Sequence, residues 1–187
     1  TVLDQLARVE RGQGRDVVRE LSARIKTPGD VNDALTMAVL AAAYSADGAD
    51  SEAREWAERA TQAAGNSSAT AAVATVTSTV YFRLGLREEG LVLLRRGAQL
   101  YRAAGDRPAA ALVSLNLARA SRQPDEQRQM IEAVLADLPA LMPNARGRQA
   151  AAETLRLAAV LPPEAALPGL NRPLDSLAEA ARAANDR

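Results

Sequence analysis

The sequence predicts an all-α chain of about ten closely packed helices, and three observations carry that expectation. Of 187 residues, 42 are alanine while only 3% are aromatic. Strands draw on Val, Ile, Tyr, Phe and Thr to fill a pleated surface, so this composition argues against a sandwich or barrel. Apolar residues recur at spacings of three and four almost throughout, with hardly any strict alternation. Glycines and prolines then cut the periodic stretches into helix-sized pieces. A chain of this length is one domain's worth by the usual prior, and buries roughly 70% of the surface its unfolded form exposes.

Taken in order, the first helices are expected at about Val2 to Arg11 and Arg15 to Ile25, parted by Gly12-Gln13-Gly14 and closed by Thr27-Pro28-Gly29. Asp30 offers an N-cap to a helix from Val31 to Ala46, which Asp47-Gly48 ends. Asp50 or Ser51 caps the next, to Ala64, with Ala53, Trp56, Ala57 and Ala60 on its inward stripe and Trp56 as a core plug. Gly65-Asn66-Ser67-Ser68 is a turn. Helices at Ala69 to Leu84 and Arg87 to Ala104 follow, separated by Gly85, and the second places Leu91, Leu94, Ala98 and Tyr101 on one face. After Gly105-Asp106 come Arg107 to Arg122 and Asp125 to Leu138, with Pro124 at a helix start where its missing N–H costs nothing. Prolines then crowd the chain, at 139, 143, 162, 163, 168 and 173. Two more helices fit there, Arg148 to Leu161 and Leu174 to Ala184, joined by a Pro-rich connection over 162–173.

Composition also removes function classes. His and Cys are absent, so thiol nucleophiles, Ser-His and Cys-His pairs, disulfides and almost every transition-metal site go with them. Glu88 and Glu89 are adjacent on a helix and point apart, which disqualifies them as an acid/base couple. Gly12-Gln13-Gly14 follows no strand and lacks the Lys-Ser/Thr of a phosphate loop, and Asp47, Asp50 and Glu52 lack calcium-loop spacing. The chain reads as non-catalytic, with no cofactor and no metal. Lys+Arg and Asp+Glu are 23 each, so no global charge favours nucleic acid. The set Arg83, Arg87, Arg95, Arg96, Arg102 and Arg107 is interrupted by acids and reads as a solvated face. Lys26 is the only lysine, a bias typical of a GC-rich, bacterial-looking coding genome. No apolar run approaches the ~20 residues that span a bilayer. The opening Thr1-Val2-Leu3-Asp4 has neither an initiator Met nor a secretion signal, which reads as a mature form or a piece of a longer chain. Bacterial cytoplasm and periplasm both suit a cysteine-free chain.

A period of 37 residues links Tyr44, Gly48 and Ala53 to Tyr81, Gly85 and Gly90. A bulky residue plugs the space between helices, a glycine takes the left-handed stop, and a small residue lets the second helix approach. Adding Ala41 and Ala60, then Ser78 and Gly97, the pattern resembles the tetratricopeptide repeat; a third unit, with Ala118 and Arg122 at the Tyr and Gly positions, departs from it. The stretch from Tyr101 to Leu112 also resembles the longer repeats in sensor regions of bacterial signalling regulators.

The resemblance implies a right-handed α-solenoid of antiparallel helix hairpins over 1–187: an N-terminal hairpin at 1–29, three repeats at 30–138, and Pro-rich capping helices at 139–187. It also implies a concave groove lined by the first helix of each repeat. Carried over residue by residue, the groove takes Leu35, Ala38, Ala42 and Ser45, then Ala72, Thr75, Thr79, Phe82 and Arg83, then Ala109, Leu112, Asn116 and Arg119. The Lys and Asn with which some members hold a peptide's C-terminal carboxylate are replaced here by Ala38 and Ala42, which sets a chaperone-tail role aside. The expected function is a protein–protein interaction module that seats a partner peptide or amphipathic helix. In that role Asn116 bonds the partner's backbone, and Arg83 and Arg119 grip carboxylates. The competing expectation is a ligand-sensing region of a larger regulator, with a small molecule between repeats. Homo-oligomerisation is a further possibility, through an apolar helix face left open at the start of the array.

Overall fold

A computed structural model describes residues 1–24, 33–65, 70–143 and 145–159. All secondary structure among these residues is helical, in ten helices that pack against neighbours. The chain divides into two compact units, Thr1–Gly97 and Ala98–Arg187.

Unit 1 contains α1 (Val2–Glu10), α2 (Gly14–Arg24), α3 (Ala34–Asp47), α4 (Asp50–Ala64), α5 (Thr70–Arg83) and most of α6 (Arg87–Ala103). Thr1 and Asp4 close a capping box on α1, satisfying two N–H groups the helix itself leaves open. An Arg8–Glu20 ion pair at 2.6 Å ties α1 to α2. The cap of α3 is Asp33 rather than Asp30, which lies outside the described residues. The Asp33 carboxylate accepts from Leu35 N at 3.1 Å and from the Thr36 hydroxyl at 2.5 Å, so the helix begins three residues later than the hydrophobic pattern suggested. Neither Asp50 nor Ser51 caps α4: Ala49 holds that position without a side-chain bond. Asp50 and Glu52 instead put negative charge beside the helix's positive end.

Two stops share one chemistry. Gly48 (φ 79°) and Gly85 (φ 76°) adopt the left-handed region, and the following N–H returns to the carbonyl of a tyrosine: Ala49 N to Tyr44 O at 3.0 Å, Leu86 N to Tyr81 O at 2.8 Å. Those bonds satisfy carbonyls that the helix end would otherwise leave open. Tyr101, Gly105 and Asp106 repeat the arrangement at the end of α6. Because α6 is the second helix of a hairpin, Tyr-x-x-x-Gly marks a helix terminus, not a place within a repeat.

The core of unit 1 is built on α3, which packs against α1, α2, α4 and α5. Every residue from Met37 to Ala43 is buried. One cluster joins Val9, Val17 and Leu21 to Val39, Leu40, Ala53, Ala57 and Val80; another joins Ala38 to Ala60, Ala64 and Val73. Trp56 is half-buried and packs on both, with the Arg59 guanidinium 5.0 Å from its ring. The small positions of the 37-residue pattern are all buried: Ala41, Ala53, Ala60 and Ser78, with Gly90 and Gly97. A methyl on Gly90 would meet the Phe82 ring at 2.9 Å, and one on Gly97 would meet the Thr75 hydroxyl at 3.1 Å. The closeness of α5 and α6 therefore depends on both glycines.

Unit 2 contains the end of α6, then α7 (Arg107–Ala120), α8 (Pro124–Ala136), the short α9 (Leu138–Leu141) and α10 (Ala145–Ala159). Asp106 caps α7 through Ala109 N at 3.1 Å, and Pro108 and Pro124 sit in the first turns of α7 and α8. The α7–α8 junction has no glycine. The Ser121 hydroxyl accepts from Gln123 N and pairs with Glu126, while Gln127 donates to the Ser121 carbonyl. The helix expected to end at Leu138 stops at Ala136, and Leu138 begins α9 with Pro139 in its first turn. Gly147 of α10 lies against the Leu141 carbonyl so closely that no side chain fits. Leu115, Val134, Leu141 and Ala150 form one buried cluster, and Ala118, Ile131 and Ala158 another. Thr27-Pro28-Gly29, Asn66-Ser67-Ser68, the 162–173 connection and the helix expected from Leu174 lie outside the described residues. Among those described, no helix is long and apolar enough to cross a membrane.

Candidate functional site

In unit 1, α5 turns Thr70, Ala71, Val73, Ala74, Thr77, Ser78 and Val80 into the core. Its less buried side carries Ala72, Thr75, Phe82, exposed Thr79 and exposed Arg83, the five groove positions implied by the resemblance. Two of them donate within the helix, Thr75 to the Ala71 carbonyl at 2.8 Å and Thr79 to the Thr75 carbonyl at 3.4 Å. Their hydroxyls are therefore left chiefly as acceptors. Phe82 lies partly against Gly90. No ion pair or hydrogen bond engages the Arg83 side chain among the described residues, so its fork of five donors stays open. Beside this stripe, Tyr81 faces the 3.0 Å Arg54–Glu58 pair. Burial pushes its phenol above the ordinary value, and the Glu58 carboxylate acts in the same direction.

The α3 positions behave differently. Leu35 is partly buried against the second cluster, whereas Ala38 and Ala42 are buried at 0% and 5% exposure. Ala38 and Ala42 thus present no surface to a partner and are corrected to packing residues. The missed signal is the run Met37 to Tyr44, apolar or small all the way round, which marks a helix covered on every side. The Ser45 hydroxyl is buried with no hydrogen-bond partner among the described residues.

In unit 2, the open side of α7 carries Ala109, Leu112, Asn116 and Arg119, again the groove positions, with Leu112 packed partly on the core. Arg119 is not a free cation. It pairs with Glu153 of α10 and donates to the Asn116 amide oxygen at 3.1 Å, while Arg156 reaches the same Glu153 at 3.2 Å. A partner carboxylate would have to displace Glu153. The Asn116 amide N–H groups remain outward-facing donors.

Unit 2 also holds a half-open cleft of about 340 Å³ where the end of α6, α7 and α8 meet. It is lined by buried Ala110, Ala111, Ser114 and Val134, which form its floor, and by exposed Arg102, Arg107 and Asp137 at its rim. Arg102 donates to the buried Ser114 hydroxyl at 2.8 Å. No linear motif announces this cleft, since its walls come from three helices. Among the described residues no three acidic side chains gather as metal ligands would. Comparison with models of known families, with curated proteins and with solved structures finds no match for the chain.

Proposed function

We propose that the chain is a non-catalytic protein–protein interaction module in which hairpins α3–α4 and α5–α6 are tetratricopeptide-type repeats, stacked in the right-handed sense of that family. A peptide or amphipathic helix of a partner protein, within a bacterial assembly or regulatory complex, docks on Thr79 and Arg83 of α5, with Thr75 and Phe82, which lie against α6, at the edge of the contact. On unit 2, Leu112 and Asn116 of α7 offer a second contact stripe. The observation that carries this reading is the exposed end of α5, with an uncommitted guanidinium at Arg83 and an acceptor hydroxyl at Thr79. A partner with an acidic residue and backbone donors complements that surface.

The test is capture of a partner from source lysate, followed by its affinity for the wild type and for the Arg83→Ala/Asn116→Ala variant. Both residues are exposed, so helicity by circular dichroism should be unchanged. Binding should weaken about tenfold or more, the scale of losing one charge-assisted bond; equal affinity would refute the assignment. A second reading, small-molecule sensing, is favoured by the cleft between α6, α7 and α8, whose polar rim and largely apolar floor suit a ligand.

A further inference from the structure

We infer that the α6–α8 cleft of unit 2 takes a small aliphatic amino acid, its carboxylate held by Arg102 and Arg107, its ammonium by Asp137, and its side chain on Ala110, Ala111 and Val134. The inference rests on the ligand-sensing reading and is independent of peptide docking on α5.

Size comes first. At about 340 Å³ the cleft lies at the lower end of the range for small-molecule sites, roughly 300 to 1,000 Å³, which excludes a dinucleotide and suits an amino acid. Charge comes next. The Arg102 guanidinium is fixed in place by its bond to Ser114, a hydroxyl buried within α7, and that bond uses one of its five donors. Arg107 begins α7; its backbone N–H donates to the Gly105 carbonyl, and its guanidinium has no hydrogen-bond or ion-pair partner among the described residues. Two guanidinium groups lining one cleft match a carboxylate, which accepts forked N–H donors better than any neutral group. Asp106 is adjacent, but its carboxylate is engaged with Ala109 N.

The same lining supplies the other charge. Asp137, at the α8–α9 junction, makes no capping bond and has no ion pair among the described residues. A carboxylate and two arginines lining one cleft with an apolar base complement a molecule that carries both signs a few atoms apart. A simple anion would use the arginines and leave Asp137 opposed. Beyond the Ser114 hydroxyl, the floor offers only alanine methyls and one valine, which limits the side chain to a short aliphatic one.

The experiment is calorimetric titration of the full chain with L-valine, L-valinamide, N-acetyl-L-valine and inorganic phosphate. It includes Arg107→Gln, Asp137→Asn and Ala133→Phe, the last filling the cleft from an exposed lining position. Circular dichroism checks that each variant folds. L-valine should saturate. Arg107→Gln should weaken it about tenfold or more, and Ala133→Phe should abolish binding. L-valinamide should not bind, and N-acetyl-L-valine should bind weakly with an affinity that Asp137→Asn leaves alone. Phosphate binding tighter than valine, or valine binding indifferent to Asp137→Asn, overturns the amino-acid assignment while leaving a ligand site in place. Failure of all four probes to saturate the wild type removes both the assignment and the sensing reading.

Discussion

Unit 1 and unit 2 share a kind of core and differ in how their hairpins turn. Alanine and large aliphatic residues are buried side by side in both: Ala41, Ala53, Ala57 and Ala60 with Leu21, Val39 and Leu40 in unit 1, Ala110, Ala118, Ala150 and Ala158 with Leu115, Ile131, Val134, Leu138 and Leu141 in unit 2. In unit 1 the turns after Tyr44 and Tyr81 are left-handed glycine stops, and Gly90 and Gly97 leave little space for a methyl against α5. In unit 2 the stop after Tyr101 has the same form, but the α7–α8 junction replaces it with a hydrogen-bond cluster centred on Ser121. A left-handed stop requires a glycine at one fixed step beyond the helix, which writes a period into the sequence, whereas a side-chain cluster is built in many ways and leaves none. The 37-residue spacing accordingly fades where the serine-centred turn takes the glycine's place.

The largest expected effect is an asymmetry in core substitutions. Leu115→Ala, fully buried in unit 2, should cost about 2–5 kcal/mol through lost burial and a cavity. At fully buried Ala57 of unit 1 the damaging direction is the opposite one, and Ala57→Val should cost about 1–3 kcal/mol by overfilling. Chemical denaturation measures both; a neutral Ala57→Val would break the comparison.

Next in size is the turn chemistry. Nothing lies within 4 Å of a methyl placed on Gly48, so Gly48→Ala tests backbone conformation alone and should destabilise by about 1 kcal/mol. Thermal unfolding monitored at 222 nm would register it. A larger loss would mean that the left-handed stop also sets the α3–α4 packing.

The smallest effect sharpens the picture around α5. The Tyr81 phenol is held above its ordinary value of 10.0 by burial, so the neutral form is favoured in the folded state. That contribution is complete below pH 10 and is lost as pH rises through the folded-state value. Tyr81→Phe should flatten the alkaline decline in stability, measured as melting temperature from pH 9 to 11. A decline of equal slope in the variant would assign it to other groups.

Much of the helical layout is legible in the sequence. Gly48, Gly85 and Gly105 mark the ends of α3, α5 and α6 because a left-handed stop is local chemistry. Pro124 marks the start of α8 for the same reason. The choice of Asp33 over Asp30 as a cap was not legible, since both residues suit that role and the first turn of α3 decides between them. The loss of Ala38 and Ala42 from the surface was legible in the all-round apolar run Met37 to Tyr44, and the packing of α1, α2, α4 and α5 on α3 realises it. The pairing of Arg119 with Glu153 joins positions 34 residues apart, and the α6–α8 cleft depends on three helices at once. Tertiary geometry sets both, and no spacing rule reaches that far.

α3 is enclosed along Met37 to Ala43 by four other helices, so peeling away any one of them bares part of it to water. Local opening is cheap only where little apolar surface is uncovered. Fraying can therefore begin at the ends of unit 1, but the amides of α3 are the last to exchange with solvent, and their release coincides with loss of the whole unit.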